Sequence, residues 1–246
     1  MLGAAVSGVL VSTASRAAAR RLRGAPKLIS VTGGVAVGKS TFARMLRRTL
    51  MRKHGQRVEV VSTDGFLRSD ADLERCGLLQ RKGFPESYDH AALADFFAAL
   101  REPCAQLSVP VYCHRARGCV GQHTFTRPDW LIVEGVYAQQ PARACRLDSF
   151  AIFLEADRAL IQRWYVQRFL RVHGARFADE QQAVRRALQL DAEVNYANYR
   201  CHIAPLRSAA DLVLHKQAEH TLHLSARLAG ITPRASEATL QLGMPL

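Results

Sequence analysis

The string Gly33-Gly34-Val35-Ala36-Val37-Gly38-Lys39-Ser40 constrains this chain more than any other feature. Its spacing is GxxxxGK[ST], and its flanks are the ones that give that spacing meaning. The run before it, Lys27-Leu28-Ile29-Ser30-Val31-Thr32, is short and β-branched, and residues 40–54 after it repeat apolar side chains at helical spacing. Strand, glycine-rich turn and helix in that order make a cradle. The glycines let successive backbone N–H groups point at one anion, and the helix N-terminus adds partial positive charge. That chemistry is expected of a polyphosphate such as ATP, with Lys39 on the β- and γ-phosphates and Ser40 on Mg2+. Thr41 follows in the same turn, and Arg44, one turn past Ser40, stands within reach of the same phosphates.

The rest of the chain repeats the alternation that such a cradle requires. Further apolar strands are predicted at 58–62, 107–113, 130–134, 150–154 and 211–214, with helices at 89–101, 158–172 and 179–199. Near-continuous apolar strands separated by helices predict an α/β fold of three layers, α/β/α, with a mostly parallel central sheet and a helical lid. The expected organisation is a short basic N-terminal arm over 1–26, a nucleotide-binding domain over 27–218, and a helix or loosely ordered tail over 219–246. The arm overlaps in composition with an organellar transit peptide, but a short basic helix leading into the domain is the plainer reading.

Charge narrows the choice of partner. The chain carries 34 Lys and Arg against 21 Asp and Glu, a formal charge of +13, which invites a nucleic-acid partner. No acid precedes Glu59, however, and residues 1–58 hold twelve of the basic residues, so the excess is local to the segment that carries the cradle. No aromatic and basic reading motif accompanies it, and no nucleic-acid partner is expected. The apolar runs fall short of a membrane span, so no membrane partner is expected either. Six cysteines without a CxxC pair indicate neither a disulfide scaffold nor a zinc ribbon, and point to reduced thiols in the cytoplasm. The histidines His215, His220 and His223 lack partner acids or cysteines at ligand spacing.

Acids at two strand ends complete the chemistry. Asp64, in Thr63-Asp64-Gly65-Phe66, ends the strand at 58–62, where open α/β sheets place ligands. A substrate hydroxyl is a poor nucleophile at neutral pH, and an aspartate that accepts its proton in line with the γ-phosphate is the usual remedy. Glu134, ahead of Gly135, has the form of a second acid on the Mg2+ side. Arg163 and Arg168 lie in a helix too aromatic and basic to be simply solvated, and an arginine-bearing lid there would stabilise charge on the transferring phosphoryl group. Tyr112 and His114 lie at the end of the strand at 107–113, where a loop could close over substrate, although position alone favours a surface histidine.

Several strings taken together resemble the bacterial type I pantothenate kinases, P-loop kinases related to phosphoribulokinase and uridine kinase. They are 34–41, Ser62-Thr63-Asp64-Gly65-Phe66-Leu67, Lys82-Gly83-Phe84-Pro85-Glu86-Ser87-Tyr88-Asp89, Pro110-Val111-Tyr112-Cys113-His114, Glu134-Gly135 and Trp164-Tyr165-Val166-Gln167-Arg168-Phe169-Leu170. The resemblance implies an ATP-dependent kinase acting on pantothenate, the first step toward coenzyme A, in a chain that dimerises in related proteins. It makes Asp64 the acid on the pantothenate hydroxyl and places Tyr112, His114, Tyr165 and Arg168 in the acceptor pocket. It also implies coenzyme A as an effector meeting Arg44 and His114. Departures cluster on the acceptor side. Arg117-Gly118 replaces a Tyr-Asp pair, Tyr137 replaces an Asn, Val172 replaces an aromatic associated with coenzyme A, and His202 stands where the family places a substrate-binding Asn. The stretch between Phe177 and Asn195 is also shorter than the family's and lacks a tyrosine-bearing cover. A paralogue acting on another small alcohol or a nucleoside, and a non-catalytic module sensing ATP or coenzyme A, are the competing expectations.

Overall fold

The computed structural model describes residues 2–23, 26–103 and 106–227; the tail expected beyond 231 lies outside them. Six strands form one sheet: β1 (Lys27–Gly33), β2 (Val58–Ser62), β5 (Trp130–Glu134), β6 (Ser149–Glu155), β7 (Leu212–Lys216) and β8 (Leu222–Arg227). Their order is β2-β5-β1-β6-β7-β8. All neighbours run parallel except β7 and β8, which pair antiparallel and close one edge. A separate antiparallel hairpin is made by β3 (Gln106–Cys113) and β4 (Gly118–Thr126). The mostly parallel sheet with helices on both faces is the architecture predicted.

Side chains alternate across the sheet because successive residues of a strand point to opposite faces. Ile29 and Val31 of β1 join Trp130, Ile132, Phe150 and Ile152 in one core. Leu28, Leu131 and Val133 enter the other. The first core is covered by α1 (Leu2–Arg21) and α2 (Lys39–His54), through Phe42, Leu46 and Leu50 of α2. The second is covered by α4 (His90–Ala99), through Leu93, Phe96 and Phe97, and by α5 (Gln139–Ala144). Burying both faces of each central strand accounts for their unbroken apolar sequences.

The N-terminal helix expected from the sequence is present but packs into the core, and two other elements differ from the expectations. The N-terminal segment forms a helix whose Val11, Ala14, Ala18 and the following Leu22 are buried in the first core. Its inner face is largely Ala and Ser, which permits close packing on α2 but leaves only a faint apolar period in the sequence. Arg21, at its end, pairs with the buried Asp211, whose carboxylate also accepts the Ala151 backbone N–H at 2.7 Å. The segment after Lys216 contributes β8 instead of a helix. The helix expected over 179–199 begins as α7 (Glu180–Leu190) but continues through wide π turns at Asp191–Tyr196 and Tyr199–Ile203, a feature frequent at functional sites.

Candidate active site

The loop between β1 and α2 sits at the C-terminal end of the sheet, beside the ends of β5 and β2. Register places them together: Val31 of β1 and Ser62 of β2 both flank Glu134 of β5. Gly38 begins α2 at φ +104°, in the left-handed region where a side chain would be strained, so glycine is required for the loop to turn into the helix. Lys39 Nζ donates to the Gly34 carbonyl at 2.8 Å, which holds the ammonium across the loop it serves. Ser40 Oγ donates to Glu134 Oε1 at 3.0 Å. Gly135 allows this approach: at φ +149° a Cβ would lie 1.9 Å from Thr63 Oγ1, so nothing larger fits between the two strand ends.

Asp64 lies in a single 3-10 turn, Thr63–Phe66, directly after β2, with Ser62 Oγ accepting its backbone N–H at 3.4 Å. Its Oδ2 faces His114 Nε2 at 3.8 Å. His114 follows the end of β3, and its ring packs edge-on to Tyr112, 5.2 Å between centroids. Tyr165 and Arg168 come from α6 (Arg158–His173). A cavity of about 570 Å³ is lined by Lys39, Ser40, Asp64 and Glu134 from the strand ends, and by Tyr112, His114, Tyr165 and Arg168 from the hairpin and α6. That volume suits a small molecule.

These groups perturb one another. Burial pushes the Asp64 carboxyl above its ordinary range, opposed by the charges of Lys39, Arg168 and Lys82. Burial likewise raises Glu134, with Lys39 opposing and Asp64 adding to the rise. The Lys39 ammonium is pulled down by burial, although Glu134 and Asp64 favour its charged form. His114 is depressed to about 4 by burial and then by Arg168, so its ring is neutral at physiological pH. A carboxylate of raised basicity beside a neutral imidazole and an anion cradle is suited to accepting a proton from a hydroxyl.

Several residues singled out from the sequence stand outside the lining of this cavity: Arg163, Arg44, His202, and Gly33, Gly34, Ala36, Val37, Gly38 and Thr41 of the phosphate loop. Arg44 is exposed and donates to Thr41 Oγ1 at 3.2 Å on its own helix. His202 packs edge-on to Phe84, 5.7 Å between centroids. Other residues enter the site without a sequence signal. Asn195 and Asn198, on the π-turned continuation of α7, both line the cavity. Asn198 is buried, and its Nδ2 donates to the Gly83 carbonyl at 2.7 Å. Its Oδ1 is buried and accepts from no described residue. Lys82, in a matched string that named no role for it, pairs with Asp70, donates to the Arg117 carbonyl at 2.9 Å and lies 5.2 Å from the Tyr112 ring centre. Lys216 leaves the end of β7, crosses over the Trp164 ring at 4.4 Å and donates to the Val37 carbonyl at 3.1 Å, bracing the phosphate loop from the far side.

Comparison with known proteins agrees with this geometry. The phosphoribulokinase / uridine kinase family model matches residues 28–222. A pantothenate kinase of Leifsonia xyli subsp. xyli is 40% identical over 223 residues, covering 82% of this chain and 69% of that one. Those of Shewanella amazonensis and Escherichia coli are 38% and 36% identical, each over 80% of this chain and 71% and 70% of theirs. Among solved structures, a protein described as a fructose transport system kinase from Silicibacter sp. TM1040 superposes with a TM-score of 0.65 at 26% identity, over 77% of this chain and 92% of that one. A D-glycerate 3-kinase from Cryptococcus neoformans shares the fold, with a TM-score of 0.60 at 15% identity over 91% of this chain and 100% of its own. With the match spanning the phosphate loop, both acidic strand ends and the arginine helix, the chain belongs to the phosphoribulokinase / uridine kinase family of ATP-dependent kinases, among its pantothenate kinases.

Proposed function

We propose that the protein transfers the γ-phosphoryl group of ATP to the primary hydroxyl of pantothenate. The observation that carries this reading is the meeting of Lys39, Ser40, Glu134 and Asp64 on one cavity that Tyr112, His114, Tyr165 and Arg168 also line. Asp64 takes the hydroxyl proton, its basicity raised by burial. Lys39 and the loop N–H groups hold the phosphates, and Arg168 balances charge on the transferring group. His114, neutral, is free to hydrogen-bond the acceptor.

The Ser40 hydroxyl and the Glu134 carboxylate, already 3.0 Å apart, form an oxygen-only donor pair of the kind a hard divalent cation takes. They would hold Mg2+, which would supply neutralisation of charge on the triphosphate. Coenzyme A is expected to inhibit weakly, because Val172 on the cavity wall replaces the aromatic side chain that the resemblance associates with that effector. The described cysteines are all free thiols, in keeping with a cytoplasmic enzyme.

The test is kcat/KM by a coupled ADP-release assay across pantothenate, uridine, glycerate and ribulose 5-phosphate. Pantothenate should lead, with a KM raised by the altered acceptor wall. Preference for another acceptor by about a hundredfold would overturn the substrate and leave the kinase standing.

A further inference from the structure

The cations facing the cavity are not matched by its acids. Asp64 and Glu134 are the only carboxylates lining it among the described residues, against Lys39, Lys82, Arg117, Arg168, Arg176 and Arg186. Lys39 and Arg168 belong to the transferring phosphate in the reading above. Lys82 and Arg117 share a single carboxylate, that of Asp70. Arg176 and Arg186 have no carboxylate partner among the described residues. Arg176 donates to the Arg115 carbonyl at 2.9 Å, and Arg186 to Gln189 Oε1 at 2.8 Å.

The three arginines beyond the phosphate machinery come from three elements that converge: Arg117 from the β3–β4 turn, Arg176 from the turn after α6, and Arg186 from α7. Their field is felt on the same wall. His173 is depressed by burial and then by Arg176, Arg117 and Arg168 together, and the Tyr165 hydroxyl senses both Arg168 and Arg186. The Arg176 bond to Arg115 also ties the end of α6 to the hairpin tip, which holds two of the contributing elements at a fixed separation. A recess with surplus guanidinium groups attracts anions, and the planar fork of arginine matches carboxylate and phosphate geometry.

We propose that Arg117, Arg176 and Arg186 form an anion subsite that holds a charged group of the acceptor, so that the enzyme selects acceptors carrying a carboxylate or phosphate away from the reacting hydroxyl over neutral analogues. The proposal rests on the phosphotransfer reading of the same cavity. It assigns acceptor specificity to residues outside the strand-end machinery that performs the transfer.

The experiment compares kcat/KM for pantothenate and its neutral methyl ester in the wild type, in Arg176→Gln, Arg186→Gln and the double variant, and in Arg171→Gln, an exposed position of α6 that does not line the cavity. The wild type should favour pantothenate by roughly ten- to hundredfold, carried by KM, as expected for charge-assisted hydrogen bonds. Each substitution should shrink that ratio, and the double variant should bring it within a factor of about three, while Arg171→Gln keeps it. If pantothenate is phosphorylated but the ester serves equally well, or the variants keep the wild-type ratio, the subsite is overturned and the substrate stands. If ribulose 5-phosphate or glycerate is the acceptor instead, the substrate reading falls. A loss of about tenfold on that acceptor in the double variant would then support the subsite, and an unchanged rate would overturn it.

Discussion

The residues proposed to handle phosphate leave the ends of buried parallel strands, whereas those proposed to face the acceptor hang from the exposed hairpin β3–β4 and from α6 and α7. Lys39, Asp64 and Glu134 are placed by β1, β2 and β5, whose backbones are locked in register and whose side chains fill both cores. A shift of one residue in any of these strands would turn its buried set to the wrong face, so the geometry of transfer is tied to the stability of the domain. The acceptor side has no such constraint. β4 is exposed along nearly its whole length, and Arg117 and Arg176 are solvent-facing at their turns. Substitutions there would cost the fold little, which fits the departures read at Arg117, Gly118 and Val172. On the proposed roles, one cavity combines a rigid chemical wall with an adaptable recognition wall.

The largest effect should come from the rigid wall. Asp64→Asn should lower kcat by roughly 10²–10⁴ with little change in ATP affinity, the usual span for a general base. A loss confined to the acceptor KM would mean that Asp64 only positions substrate, and the two walls would no longer divide chemistry from recognition. The same variant carries a stability signature. Burial holds the folded Asp64 pKa above its ordinary value of 3.8, so the native state binds that proton more tightly than the unfolded chain does. That contribution is full below 3.8 and is lost as pH rises through the folded value. Asp64→Asn should therefore melt higher than the wild type at neutral pH, and the two should converge in acid. Equal Tm values at neutral pH would contradict the raised basicity.

The pH profile of kcat/KM sharpens the same point. An acid limb should appear above the ordinary carboxylate range, belonging to Asp64. His114 should contribute no limb near its ordinary 6.5, because it titrates at about 4. A limb near 6.5 that disappears in His114→Gln would move the base from the strand end to the hairpin.

On the recognition wall the effects should be smaller and fall on KM. Asn198→Ala should raise the acceptor KM by roughly tenfold, since it removes a side chain of the cavity wall and the bond that pins Gly83. A matching fall in kcat with KM unchanged would place Asn198 in the transfer step. The smallest effects belong to two of the residues that the sequence singled out and the cavity excludes. Arg44→Gln and His202→Ala should each change kcat/KM by less than about threefold, as expected of exposed charge and peripheral packing. A larger loss in either would extend the recognition wall beyond the residues that line it.

How much could be read from the sequence follows from the same division. The phosphate loop was legible because its chemistry needs glycines, a lysine and a hydroxyl at one fixed spacing between a strand and a helix, all within 27–54. Asp64 and Glu134 were legible because an apolar run that stops at an acid marks a strand end, and strand ends are where parallel sheets hold ligands. The central sheet was legible for the related reason that strands covered on both faces are apolar throughout. The N-terminal helix was harder to read because its buried face is alanine and serine, so its place in the core depends on how closely α2 approaches and not on a strong apolar period. β4 was missed because, exposed on both faces, it carries no alternation, and pairing with β3 alone makes it a strand.

Local sequence therefore determined the parts of this protein whose chemistry is written in consecutive residues: the cradle, the strand ends and the kinase class they imply. Only the tertiary structure decided which arginines and asparagines share the cavity with them. Arg117, Arg176, Arg186 and Asn198 lie up to 81 residues apart and come from a hairpin turn, a helix end and a π-turned helix. No periodicity links such positions. Their convergence depends on how α6, α7 and the hairpin close over the sheet, and the same closure places His202 against Phe84 instead of in the cavity.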